Sequence, residues 1–126
     1  MMKENQKIAR TALAIELAQP LLEAEKLPEG LKVRTQTHGA VEITCVQIAA
    51  PKAAQQLQKP CGRYITIQTP PLWNSLLDPQ QEIDAAADCI RSLLPQEGTV
   101  LVVGLGNSSI TPDALGPQVA QHILVT

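Results

Sequence analysis

Five residues, Thr99-Val100-Leu101-Val102-Val103, form the most apolar strand-like run in the chain and lead directly into Gly104-Leu105-Gly106-Asn107. A buried strand that ends in Gly-x-Gly and feeds a helix is how open α/β sheets set a ligand at their carboxyl edge. The glycines permit dihedrals and backbone approaches that a Cβ would block. Gly104 and Gly106 do not make a dinucleotide fingerprint. Ser109 occupies the place of the third glycine, and no acidic residue follows about 20 positions on.

Upstream, the chain alternates between helical and strand patterns. Ile8 to Leu22 is rich in Ala and Leu and predicts a helix that Pro20 interrupts, since a proline there removes a hydrogen bond and clashes with the preceding turn. Pro28-Glu29-Gly30 reads as a turn. From Leu31 to Ile48 the runs are short and alternating: Val41, Ile43 and Cys45 face one way, Glu42, Thr44 and Val46 the other. Pro51 to Gln58 predicts a short helix, and Gly62 to Thr69 a second strand closed by Pro70-Pro71. Asp78-Pro79 is a helix start, with Asp as N-cap and Pro at the first helical position. Ile83, Ala86, Ala87, Ile90, Leu93 and Leu94 then follow helical spacing, which places Asp84, Asp88 and Arg91 on the solvated side. A last helix is expected from Gly116-Pro117.

Strands separated by helices predict an α/β fold. The expectation is a mixed, partly parallel sheet flanked by helices, a truncated form of the phosphorylase/hydrolase-like three-layer architecture. The 126 residues contain no Phe, one Trp and one Tyr, so the core must come from Leu, Ile, Val and Ala. A formal charge of −2 without a basic run excludes a direct nucleic-acid footprint and polybasic membrane attachment. Cys45, Cys61 and Cys89 have neither metal-ligand nor disulfide-framework spacing, and read as reduced, partly buried thiols. No apolar run reaches the ~20 residues of a membrane span, and the first ten residues lack the apolar stretch of a signal peptide. The expected location is cytoplasmic.

Asp113 is the candidate for chemistry. Thr111-Pro112-Asp113 could open a helix as N-cap, N1 and N2, with the carboxylate complementing the helix dipole. That places Pro117 at the sixth helical position. A helix starting at Gly116-Pro117 avoids the clash and leaves Asp113 in a loop at the sheet edge, able to polarise a water or bind a metal. His38 and His122 have no motif around them and read as structural or exposed residues.

The block Val102-Val103-Gly104-Leu105-Gly106-Asn107, followed by Thr111-Pro112-Asp113-Ala114-Leu115-Gly116-Pro117, resembles the signature of the germination protease family. These are endopeptidases of spore-forming bacteria that degrade small acid-soluble spore proteins. Gly62-Arg63-Tyr64-Ile65-Thr66-Ile67 is similar to the family's Gly-x-Tyr-[Ile/Val]-Thr strand. Arg10-Thr11-Ala12-Leu13-Ala14-Ile15-Glu16 resembles its Arg-Thr-Asp-Leu-Ala-Val-Glu start, and Leu124-Val125-Thr126 also fits.

The resemblance implies that Asp113 is one of two aspartates of an atypical aspartic-type peptidase, in an active-site turn with Gly104, Gly106 and Asn107. It implies further that the partner aspartate lies beyond this sequence. The chain then corresponds to the N-terminal portion of a single peptidase domain, an inactive fragment of about the first third of a family member. Residues 1–12 resemble a propeptide. Its processing region is Ala12 and Leu13, where Ala12 stands in place of the family's Asp; Arg10 and Glu16 are read as surface charges. A zymogen, a homotetramer, the forespore or spore core as location, and no cofactor also follow from the resemblance. The rival readings are a hydrogenase-maturation-type metal-dependent peptidase and a non-catalytic scaffold or binding paralogue.

Overall fold

The computed structural model describes residues 12–71 and 79–123. Residues 1–11, with Arg10 and Thr11, the expected cap Asp78 and the closing Leu124-Val125-Thr126 lie outside the described residues. The chain divides into two compact units, Met1–Leu94 and Pro95–Thr126.

The first unit is built on β1 (Leu31–His38), β2 (Val41–Ile48) and β3 (Gly62–Gln68), in the order β1-β2-β3. Both pairings are antiparallel, with Thr35 opposite Thr44 and Val46 opposite Tyr64. This corrects the expected mixed, partly parallel three-layer sheet: the sheet is small, three-stranded and antiparallel. Two connections explain it. Gly39-Ala40 is a two-residue hairpin turn between β1 and β2, which can only join antiparallel neighbours. Between β2 and β3 runs helix α2 (Pro51–Leu57), about 10 Å long at 1.5 Å per residue. An eight-residue strand is about 26 Å long, so this helix cannot carry the chain back to its start. The chain re-enters where it left, with Gly62 opposite Ile48.

One sheet face presents Leu31, Val33, Val46, Ile48 and Tyr64 to helices α1 (Ala14–Glu23) and α2. Ala14, Ala18, Ala53 and Leu57 complete this core, so alanines stand where a Phe-rich protein would place rings. Thr44 is the buried polar residue of the face, and its Oγ1 meets that of Thr35 at 3.2 Å. The β2 alternation is as expected, with Ile43 and Cys45 on the other face.

Pro20 does not interrupt α1. It lies inside the helix on the exposed side, and its carbonyl accepts the Ala24 amide at 3.1 Å. Glu16 is more than a surface charge, since its Oε2 accepts the Leu13 amide at 2.8 Å and caps the helix start.

Helix α3 (Gln80–Leu93) departs most from expectation. Asp84, Asp88 and Arg91 are exposed as expected, with Asp88 and Arg91 paired at 2.6 Å, but Ile83, Ile90, Leu93 and Leu94 are exposed as well, and the helix buries no residue. Arg63 anchors the helix by donating from Nη2 to the Ser92 carbonyl.

In the second unit, Thr99–Val103, expected as a strand, forms neither helix nor ladder within the unit's described residues. A 3₁₀ turn, Thr111–Asp113, precedes helix α4 (Leu115–His122). Pro117 thus falls at the third helical position, where no amide needs an intrahelical acceptor, and costs the helix nothing. Among the described residues, no helix is long and apolar enough to cross a membrane.

Candidate active site

The second unit folds around the glycine turn. Gly106 has φ +143°, in the half of dihedral space that side chains avoid, and a Cβ there would strike the Asp113 carbonyl. Gly104 and Gly116 touch backbone to backbone, since a Cβ on Gly104 would meet the Gly116 carbonyl and one on Gly116 the Leu105 carbonyl. The start of α4 is therefore pressed onto the segment that follows Val103.

This contact sets Asp113. The Asn107 amide donates both to the Asp113 carbonyl at 3.0 Å and to its Oδ2 at 2.9 Å. Asn107 Oδ1 accepts the Ser109 amide at 2.9 Å, and the Asn107 carbonyl accepts the Ile110 amide at 3.1 Å. A further bond, from the Asp113 amide to the Ile110 carbonyl at 2.9 Å, closes the loop. Asp113 is exposed, in the turn just ahead of α4. The structure thus brings Gly106, Asn107 and Asp113 together, with Gly104 one step away on Gly116. Sequence reasoning missed two parts of this arrangement: the Asn107 amide that orients the carboxylate, and Gly116 as the surface on which Gly104 rests. The Gly at the second position of α4 was the available signal.

Ala12 and Leu13 belong to the first unit, just ahead of α1, with Leu13 exposed. Its amide is the group bonded to Glu16.

A cavity of about 770 Å³ lies between the outer sheet face and α3. Arg34, His38, Cys45, Asp84, Asp88 and Cys89 are among its lining residues. Burial, then the neighbouring Asp88 and Cys45, push the Cys89 thiol above its ordinary pKa. Cys45 and Cys89 are half-buried, but Cys61 is exposed rather than partly buried, and all three are free thiols. His122 is anchored locally, Nδ1 to the Gln118 carbonyl at 2.7 Å. Among the described residues, no cluster of three His, Cys, Asp or Glu side chains could hold a metal ion.

A family model described as germination protease matches residues 8–126 of this sequence. The chain belongs to the germination protease family. It is 40% identical to a germination protease of Caldanaerobacter subterraneus subsp. tengcongensis, over 93% of this chain and 36% of the relative. Identity to the Clostridium tetani germination protease is 33%, over 93% of the chain and 38% of the relative. With the Bacillus subtilis enzyme it is 30%, over 97% and 36% respectively. The chain therefore spans little more than a third of the length of these curated relatives.

Proposed function

We propose that the complete protein is an endopeptidase that degrades small acid-soluble spore proteins during germination, with Asp113 as one carboxylate of an aspartic-type pair. Family membership supports the peptidase class. The observation that carries the assignment of Asp113 is its carboxylate held on the Asn107 amide, in an exposed glycine-built turn ahead of a helix.

The chemistry needs two carboxyl groups. One takes a proton from the attacking water, while the other, protonated, assists the scissile carbonyl or the departing amine. With Oδ2 engaged by the amide, the second oxygen of Asp113 is left to orient a water. These residues supply one such group in this turn; the second is contributed from outside the matched third of the family's length. Alone, the 126-residue chain is inactive. Zymogen processing near Ala12 and Leu13, assembly as a homotetramer and residence in the spore core complete the proposal. They rest on the same resemblance, and Ala12 in place of Asp predicts lost or displaced self-processing.

The test is incubation of the native, complete protein with a purified small acid-soluble spore protein, with and without a metal chelator. Discrete internal cleavage that survives chelation is expected. No cleavage overturns the substrate assignment, and cleavage abolished by chelation overturns the aspartic-type mechanism.

A further inference from the structure

Two of the three cysteines in the first unit meet across one cavity. Cys45 lies on the outer face of β2, opposite Ile65 of β3, and Cys89 lies in α3. Both line the space between that face and the helix, and both are half-buried.

Two contacts fix α3 along the sheet. Near its start, the Gln81 side chain rests on the hairpin turn, with Oε1 2.8 Å from where a Cβ on Gly39 would stand. Near its end, the Ser92 carbonyl accepts Arg63 Nη2. Arg63 pairs with Gln47 and, two residues from Ile65, shares its face of the sheet. Between these anchors the helix spans about 16 Å. Strand β2 spans about 20 Å from Val41 to Gln47, so helix and strand run alongside one another. Measured back from the Ser92–Arg63 anchor, Cys89 lies about 4.5 Å along the helix and Cys45 about 6.6 Å along the strand. The two thiols are therefore level. Their electrostatic coupling agrees, since Cys45 is among the groups that raise the Cys89 thiol, after burial and Asp88. Cys61 is not placed to compete. Its neighbour Gly62 pairs with Ile48, three residues past Cys45. That sets Cys61 about 10 Å or more along the sheet from Cys45, outside the ~4.4–6.8 Å Cα span of a disulfide.

We propose that Cys45 and Cys89 form a reversible disulfide, made by exchange with a low-molecular-weight disulfide, that ties α3 to β2 across the cavity. One thiolate of the pair attacks a sulfur of the small disulfide, breaking its S–S bond and expelling one small thiolate. The other then attacks the mixed disulfide at the protein sulfur and expels the second. The two protein thiols are oxidised, the small disulfide is reduced to two thiols, and the two protons pass to the departing thiolates. An excess of small thiol runs the same steps backwards and frees the helix. The inference involves neither Asp113 nor the proposed peptidase chemistry.

The test is to incubate the complete, reduced protein with oxidised glutathione, block remaining thiols with N-ethylmaleimide, and map the unreduced peptides by mass. An intramolecular Cys45–Cys89 peptide pair is expected, lighter than its two thiols by two hydrogens and lost on adding dithiothreitol. Cys61 should carry a glutathione adduct instead. In the linked form the α3 amides should exchange more slowly than in the reduced protein. R63A, which removes the anchor and leaves both thiols, should slow closure several-fold, with circular dichroism checking that its sheet is retained. Separate glutathione adducts on Cys45 and Cys89, links to Cys61 or between chains, or α3 amides that exchange no more slowly would each overturn the proposal. So would an R63A variant that closes at the parental rate.

Discussion

Asp113 owes its position to a residue with no side chain. Gly106 can adopt its φ and let the Asp113 carbonyl approach only because it lacks a Cβ. Gly106→Ala should therefore cost on the order of 1–3 kcal/mol in this turn, seen as loss of the protected Asn107 amide in hydrogen exchange; an unchanged amide would show that the turn tolerates a Cβ. The thiols give a second prediction at this scale. At mildly alkaline pH, iodoacetamide should label exposed Cys61 first and Cys89 last, read by peptide mass. Because folding raises the Cys89 pKa, the folded state holds its proton more tightly. Stability is then unaffected below the ordinary thiol pKa and declines as pH rises above it. The Asp113 block was legible because glycines and prolines at fixed spacing have narrow conformational uses. The orienting donor was not, since a backbone amide leaves no trace in residue identity.

At the scale of elements, the reading succeeded where local chemistry decides and failed where tertiary context does. Helix α2 and strand β3 lie where Pro51 and the Gly62–Thr69 run put them. Pro20 breaks the rule without breaking the helix, because neighbouring bonds and the buried Ala14 and Ala18 hold α1 together. Pro20→Ala restores the missing amide on the exposed side and should stabilise the unit by about 1–3 kcal/mol, measured by urea unfolding; a loss of stability would mean that the proline ring makes a needed contact. Helix α3 shows the limit of periodicity. Its spacing located the helix and its solvated face, where Asp88 and Arg91 are indeed exposed, but did not show that Ile83, Ile90 and Leu93 would be exposed too. Strand direction was misread for a related reason. Alternating patterns do not reveal that α2 is too short for a crossover.

For the whole molecule, the chain corresponds to little more than a third of the length of its germination protease relatives. The family was readable from short blocks because they combine chemistry with backbone constraint. The central claim, that Asp113 is one half of a paired-carboxylate peptidase site, is tested most directly by Asp113→Asn in the complete protein. Cleavage of a small acid-soluble spore protein should be followed alongside thermal unfolding. A loss of about 10²–10⁴-fold in kcat, with KM and melting temperature retained, is the predicted result. An Asp113→Asn enzyme that cleaves at the parental rate would contradict the account.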